Sequence, residues 1–297
     1  MIEFIDLLMD KIEYPEEAKL FLHNAFEKVL ANPEHVALLR SLEALYISDQ
    51  PTAGLPEALE QLAQEAELPV YTAHLIFLMF CAQGLRDRYR TQGLDEAMYW
   101  DLMADLKCKL MECHTVYNTW GTFTISWFRR HFLMTLFALG RFQYEKRTFA
   151  AQKPYVHNGI TVNPGDTVYN FHIPSSGAMP KELRLESYRK AFQFFTDRPK
   201  DYIVLACDTW LLYLDYKNIF PAGSNLRDFT DDFDIIQSTT RDTFDDGWRI
   251  FGTMDMSHPE TLPAKTSLQR AFRDWMLKGG KAGAGYGVII FDGQKII

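Results

Sequence analysis

Apolar residues recur at spacings of three and four from Pro15 to about Tyr117, the period of helices with one buried face. The segment Leu20–Leu30 is one example, and no alternating pattern of the strand type interrupts the region. Proline residues mark helix starts, since the missing N–H is tolerated in a first turn. The pattern predicts five or six helices that pack as an irregular bundle, with approximate bounds 2–12, 16–31, 33–47, 56–66, 70–90 and 94–115.

The pattern changes character between residues 118 and 149. Ser126–Leu139 has an apolar helical face and predicts one more helix, which Gly140 would end. Arg141–Phe149 then alternates polar and aromatic residues, which is typical of a half-buried strand. We therefore expect two domains, a helical one over residues 1–120 and a second over residues 121–297.

The second half predicts strands and helices in turn. A strand at Thr167–Ile173, a helix from Pro180 to about Thr196 and a buried strand at Tyr202–Cys207 indicate a βαβ unit with two parallel neighbouring strands. Further elements are expected at Phe229–Thr240, Thr266–Leu277 and Tyr286–Phe291. The predicted fold class is α+β overall, a helical N-terminal bundle followed by an α/β domain with a mixed sheet.

Composition narrows the class of protein. Hydrophobic residues make up 47% and charged residues 24%, as in folded globular chains. The net charge of -8 argues against a nucleic-acid partner. Apolar runs such as Leu75–Ala82 are about half the length of a membrane span, and the first ten residues lack a basic secretory region. With four cysteines in no disulfide-like pattern, we expect a cytoplasmic protein without a membrane partner.

Familiar catalytic and metal motifs are absent. Cys108, Cys113 and His114 do not share one helix face, so no metal site is expected. The chain has no G-x-S-x-G, H-E-x-x-H or G-x-x-x-x-G-K-[ST] segment. The glycine-rich run Gly279–Gly287 connects a helix to a strand, the reverse of the order in phosphate-binding loops, and predicts a flexible loop.

Candidate chemistry begins at the end of the Thr167–Ile173 strand. His172 could act as a general base near neutral pH, and the Ser175, Ser176 and Gly177 backbone could bind a diphosphate or an oxyanion. The alternative is a turn in which the serines cap the following helix and His172 satisfies a local backbone group. The residue types alone leave both interpretations open.

Cys207 and Asp208 end the neighbouring predicted strand. If the two strands are parallel, this end lies beside His172, where Asp208 could orient the imidazole or bind an amine. Cys207 would be a nucleophile only with a stabilised thiolate, and a role in lining a pocket is favoured.

Several segments together resemble a family of bacterial proteins with a helical N-terminal domain and a GNAT-like acyltransferase C-terminal domain. The segments are Trp127–Arg130, Leu139–Glu145, His172–Gly177, Cys207–Leu212, Ser224–Asn225 and Leu262–Ala271. The resemblance covers most of the chain and is strongest after about residue 120. It implies a GNAT-type cleft in which acyl-CoA, as co-substrate, lies between two splayed parallel strands.

The resemblance also implies roles for particular residues. Ser175, Ser176 and Gly177 would hold the diphosphate of CoA, Cys207 and Asp208 would end the second strand, and a tyrosine, Tyr213 or Tyr216, would protonate the departing thiolate. The usual phosphate signature, Gln or Arg followed by x-x-G-x-G or x-x-G-x-A, is absent from the loop.

These residues lead to two functional hypotheses. The first is a CoA-dependent N-acyltransferase that acts on a small amine or hydroxyl acceptor, with His172, Asp208 and Tyr213 as catalytic residues. The alternative is a non-catalytic ligand-binding or regulatory protein that retains the cleft. The sequence leaves the oligomeric state open.

Overall fold

A computed structural model describes residues 1–297. Backbone contacts divide the chain into two compact units, Met1–Ala138 and Leu139–Ile297. The sequence had placed the division at residue 120. The stretch between the two positions carries a helix whose aromatic side chains belong to the core of the first unit.

The first unit is helical, as predicted. The sequence predicts five or six helices, and six are found over this range: α1 (Ile2–Lys11), α2 (Glu16–Leu30), α3 (Pro33–Tyr46), α4 (Leu55–Glu65), α5 (Val70–Thr91) and α6 (Glu96–Tyr117). Helix α5 is the centre of the bundle, with an unbroken buried run from Thr72 to Ala82. Polar side chains cap the starts of α3 and α6. Asn32 accepts a hydrogen bond from the N–H of Glu34, and Asp95 accepts one from the N–H of Ala97. None of the helices alone has the length and apolar composition of a membrane span. Helices α4 and α5, which are bent by 110° relative to each other, have that length and composition only when taken together.

The helix predicted at Ser126–Leu139 is wrong in its second half. Helix α7 (Ile125–Phe132) ends early, because Met134 takes a positive φ of 55° and its N–H returns to the carbonyl of His131. The chain then forms strand β1 (Leu136–Leu139). The apolar run that predicts a longer helix forms a buried strand instead. A short apolar run fits a buried helix and a buried strand equally well, so the pattern alone does not distinguish them.

A mixed sheet of six strands forms the centre of the second unit, and its first strand begins just before the division at Leu139. The strands are β1, β2 (Phe142–Thr148), β5 (Thr167–His172), β6 (Ile203–Thr209), β7 (Asp234–Arg241) and β8 (Ala282–Phe291), in the spatial order β1-β2-β5-β6-β8-β7. A separate hairpin pairs β3 (Tyr155–His157) with β4 (Ile160–Val162). Four helices complete the unit: α8 (Lys181–Phe194), α9 (Asn225–Thr230), α10 (Trp248–Phe251) and α11 (Ser267–Leu277).

The predicted βαβ unit is confirmed. Strands β5 and β6 are parallel neighbours and α8 connects them, whereas β5 with β2, β6 with β8 and β7 with β8 are antiparallel pairs. The parallel pairing covers only Tyr169–Leu205 and Asn170–Ala206. Strand β6 stays paired with β8 as far as Thr209 and Gly285, so β6 continues in the sheet beyond the last residues that pair with β5.

The two faces of the sheet are covered by different elements. Helix α8 packs on one face, where the Ser187 hydroxyl contacts the Tyr144 hydroxyl at 2.9 Å and Tyr188 packs on Phe171. On the other face, a smaller apolar cluster lies between the sheet and the β3–β4 hairpin and includes Val162 and Val204. Successive side chains of a strand point to opposite faces of the sheet, so residues two positions apart on one strand share a face.

Candidate functional site

His172 is the last residue of β5, two residues beyond the last pairing of β5 with β6. Its Nε2 lies 2.7 Å from Glu145 Oε1, and the Asn170 side-chain amide lies 3.1 Å from the same nitrogen. The imidazole is 22% exposed and Glu145 9% exposed, so the pair is largely removed from water and still reachable from outside.

Glu145 comes from β2, the antiparallel neighbour of β5. The register places Gln143 opposite His172 and Glu145 opposite Asn170, so these four polar side chains share one face of the sheet. Both Gln143 and Glu145 are buried. The Nε of exposed Arg147 lies 3.1 Å from the Glu145 oxygen that also binds His172.

The hydrogen bond to Glu145 decides which imidazole nitrogen carries the proton. An ionised carboxylate only accepts, so with Glu145 ionised the proton is assigned to Nε2, which donates it to Glu145. The neutral ring then has its lone pair on Nδ1. A histidine held this way by a buried carboxylate can take up a proton at Nδ1 while the carboxylate stabilises the imidazolium.

Sequence reasoning missed Glu145 and named Asp208 as the group that could orient His172. The structure gives this position to Glu145. The available signal was the alternation in Arg141–Phe149, because it places Gln143 and Glu145 on one strand face. The alternation predicts a half-buried strand, but the polar residues Gln143 and Glu145 are buried as well.

The loop between β5 and α8 contains the three residues expected to hold a diphosphate. Ser175, Ser176 and Gly177 are exposed, and Gly177 has a φ of 109°, a conformation that other residues rarely adopt. The N-cap of α8 is Pro180, with no side-chain cap. The interpretation of the serines as helix caps is therefore wrong. The N–H groups in the first turn of α8 donate to no capping side chain.

The start of α8 is anchored by a charge cluster that sequence reasoning missed. Arg184 is fully buried and contacts Asp228 Oδ2 at 2.6 Å and Asp232 Oδ2 at 2.7 Å. Burial lowers the arginine pKa, but the hydrogen bonds to Asp232 and Asp228 outweigh it and raise the pKa above its ordinary value. The Tyr188 hydroxyl donates to Asp232 at 3.1 Å, so the cluster joins α8 to the region of α9.

Cys207 lies on the face of the sheet opposite to that of His172 and Asn170. Its neighbour Ala206 pairs with Asn170, and alternation turns the buried Cys207 toward the α8 side. Burial, and next the charge of Asp208, raise the pKa of the thiol well above its usual range. A thiolate nucleophile at Cys207 is therefore disfavoured.

Asp208 occupies the exposed end of β6. It lies on the same sheet face as Ala206 and Asn170, and it pairs with Tyr286 of β8. Its carboxylate therefore stands on the β6 side of the opening and His172 on the β5 side.

Tyr213 is buried against β7 and β8, on the side of the sheet away from β2. Its hydroxyl lies 2.9 Å from Thr240 Oγ1 on the edge strand β7, and its ring packs directly on Gly283 of β8. Tyr216 is also buried, among aromatic rings that include Phe272, and burial raises its pKa. Strand β8 lies between β6 and the edge strand β7 to which the Tyr213 hydroxyl is bound.

Known proteins share this architecture. An acyltransferase solved in complex with decanoyl-CoA and teicoplanin has a TM-score of 0.71 at 16% identity, over 96% of this chain and 86% of that chain. An acyltransferase in complex with decanoyl-CoA gives a TM-score of 0.70 at 18% identity over the same shares. A mutant acyltransferase with octanoyl-CoA gives 0.68 at 17% identity, over 96% of this chain and 86% of that chain. At these identities the likeness shows a common fold.

Sequence families divide the chain in a similar way. Residues 3–134 match the N-acyltransferase N-terminal domain, and residues 136–289, more than half of the chain, match the GNAT-like C-terminal domain. No curated protein matches the chain significantly. The chain therefore belongs to the family in which an N-acyltransferase N-terminal domain precedes a GNAT-like C-terminal domain, as the resemblance had indicated.

Proposed function

We propose that this protein transfers an acyl group from acyl-CoA to an amine or hydroxyl group of a small molecule. The observation that carries the proposal is a carboxylate-bound histidine at the end of β5, two residues beyond Asn170 and Ala206, where the parallel pairing of β5 with β6 ends. Support comes from family membership and from structural neighbours described as acyltransferases in complex with acyl-CoA. One neighbour was solved with teicoplanin as well, which motivates the small-molecule acceptor.

The CoA diphosphate would lie at the loop of Ser175, Ser176 and Gly177. The uncapped N-terminus of α8 follows, and its open N–H groups and partial positive charge suit an anion. The thioester would enter between β5 and β6, and Cys207 would lie behind the cleft wall as a buried apolar group.

His172 would act as the general base. The acceptor nitrogen or oxygen attacks the thioester carbonyl, forming a C–N or C–O bond as the C–S bond breaks. The acceptor proton passes to His172 Nδ1, and Glu145 stabilises the resulting charge. Asp208 would hold an amine acceptor at the exposed side of the opening. The CoA thiolate would take its proton from solvent, because the Tyr213 hydroxyl expected for this step is bound to Thr240 at the β7 edge of the sheet.

The test combines binding with turnover. We expect calorimetric titration to show binding of one or more acyl-CoAs from acetyl to decanoyl, and free thiol to appear when small amines are added. His172→Gln should lower turnover by about a hundredfold or more without loss of acyl-CoA binding, because general-base catalysis contributes on that scale. Absence of binding to every acyl-CoA would sink the proposal.

His157 provides a matched control. It is also a part-buried histidine of the second unit paired with a carboxylate, through Nδ1 at 2.7 Å from Asp234 Oδ2. His157→Gln should leave turnover within about threefold of wild type, since the hairpin that carries it takes no part in the proposed step.

The alternative function is binding of an acyl-CoA or related ligand without transfer. The absent phosphate signature in the 174–177 loop favours it. Binding without thiol release, across amine and hydroxyl acceptors, would support this alternative and contradict the transferase.

A further inference from the structure

Three successive backbone carbonyls between β5 and α8 are bound by arginine side chains. Arg141 donates from Nη2 to Gly177 O at 2.7 Å and from Nε to Ala178 O at 3.1 Å. Arg184 donates from Nη1 to Met179 O at 2.7 Å. Two residues distant in sequence thus fix the orientation of three consecutive peptide groups.

The orientation of the carbonyls determines that of the N–H groups. All peptide bonds in the chain are trans, and in a trans peptide the N–H points opposite to the carbonyl of the preceding residue. With the carbonyls of Gly177 and Ala178 turned to one guanidinium, the N–H groups of Ala178 and Met179 point away from it on the same side. Neither N–H donates to a protein group, although Met179 is buried.

The two arginines are themselves held in place. Arg141 lies in the turn between β1 and β2, where the Ser187 hydroxyl of α8 binds both Leu139 O, at 2.6 Å, and the N–H of Phe142, at 3.2 Å. Arg184 is fixed between two aspartates by the contacts described above. The loop conformation therefore depends on side chains that the rest of the fold already positions.

We propose that Arg141 and Arg184 are positioning residues for the diphosphate of acyl-CoA. They turn the loop carbonyls away from the anion and present the N–H groups of Ala178 and Met179 next to the open first turn of α8. The inference deepens the proposed function and rests on it. It also explains how a loop without the usual phosphate signature can serve as an anion site.

The test compares two thioesters that differ in the diphosphate. Acyl-CoA carries it, and the corresponding acyl-pantetheine has the same thioester arm without it. We expect Arg141→Ala to lower kcat/KM for acyl-CoA about tenfold, mostly through KM, as for the loss of hydrogen bonds made by a charged group. Turnover of acyl-pantetheine should stay within about twofold, and Arg141→Lys should give a smaller change in the ratio of the two values.

Arg198 is the matched control for a general effect of arginine loss. It also binds three backbone carbonyls, those of Phe192, Pro199 and Lys200, but at the other end of α8. Arg198→Ala should leave the ratio of acyl-CoA to acyl-pantetheine turnover unchanged. The ratio does not depend on the folded fraction, so partial unfolding of a variant does not obscure it.

Each outcome separates the two proposals. An equal loss with both thioesters in Arg141→Ala, or no loss with either, overturns the positioning role and leaves acyl transfer standing. If wild-type protein neither binds nor uses acyl-CoA, the proposed function falls and takes the positioning role with it.

Discussion

At the scale of single residues, the contact between His172 and Glu145 is the one on which the proposed chemistry depends. Glu145→Gln keeps the size of the side chain but removes the charge that stabilises a protonated imidazole. We expect kcat to fall about a hundredfold with KM for acyl-CoA little changed, since the contribution is made in the transition state. Steady-state kinetics with saturating acceptor measures both values.

Arg147 provides the comparison for this variant. It binds the same carboxylate oxygen from an exposed position, and exposed ion pairs contribute little. Arg147→Gln should change kcat by less than about threefold. An equal loss in the two variants would mean that Glu145 acts through the local charge balance instead of through His172.

The sequence predicts His172 but not its partner, and the reason is physical. The imidazole stands at a strand end before a turn, which can be recognised locally. Glu145 becomes its partner only through the antiparallel register of β2 and β5, which joins residues 27 positions apart. A single sequence does not specify which polar strand face will be buried.

Asp105 is a second residue whose charge the fold controls. It is buried on α6 and accepts a 2.7 Å hydrogen bond from Trp127 Nε1, with His131 Nε2 at 3.6 Å. Burial raises its pKa, but Lys109, His131 and the Trp127 indole outweigh burial and bring the pKa to about 2. The ionised form is therefore favoured in the folded state.

This lowered pKa predicts a sensitivity to acid. A carboxyl whose folded pKa lies below its unfolded value of 3.8 stabilises the protein above that value. The stabilisation, about 2 kcal/mol, is lost as the pH falls from about 5 to about 2. Thermal unfolding of wild type and Asp105→Asn should differ at pH 7 and converge toward pH 2. A gap that stays constant with pH would contradict the prediction.

At the scale of elements, strand β8 shows where local sequence misleads. The run Gly279–Gly287 predicts a flexible loop, yet Gly283, Gly285 and Gly287 lie inside a ten-residue strand. Their missing side chains make room for packed neighbours, because a Cβ at Gly285 would stand 2.1 Å from the carbonyl oxygen of Leu212. The glycines permit close packing on one strand face, a requirement visible only after the chain has folded.

Substitution of a glycine on this face of β8 is expected to destabilise the protein. Gly285→Ala places a methyl group against fixed backbone, and we expect a loss of about 3 kcal/mol in the free energy of unfolding. Gly84→Ala on α5 is the control, because its new Cβ meets only the end of the Glu43 side chain. That variant should be neutral or gain up to about 1 kcal/mol from helix propensity. Urea unfolding measures both, and equal losses would contradict the packing argument.

At the scale of the whole molecule, the spacing of hydrophobic residues along the chain predicts most of the architecture. The six N-terminal helices and the βαβ unit follow from patterns within 10 to 40 residues. The order of the sheet does not, because β7 becomes an edge by pairing with β8, a strand distant in the sequence that no local pattern identifies as its partner. The cleft expected between β5 and β6 likewise came from the family resemblance and not from periodicity.

The last prediction concerns the response of the whole chain to its proposed co-substrate. A ligand that binds only the folded state stabilises it, by about 2.7 kcal/mol at a hundred times the dissociation constant. For a chain of this size, that corresponds to a rise of about 5 °C in Tm. Amide exchange should slow at Ala178, at Met179 and over the first turn of α8, where the open N–H groups would meet the diphosphate. Acyl-pantetheine at matched saturation should raise Tm without this local protection, because it lacks the anion. Equal protection by the two thioesters would place the diphosphate elsewhere on the protein, even if acyl transfer itself is found.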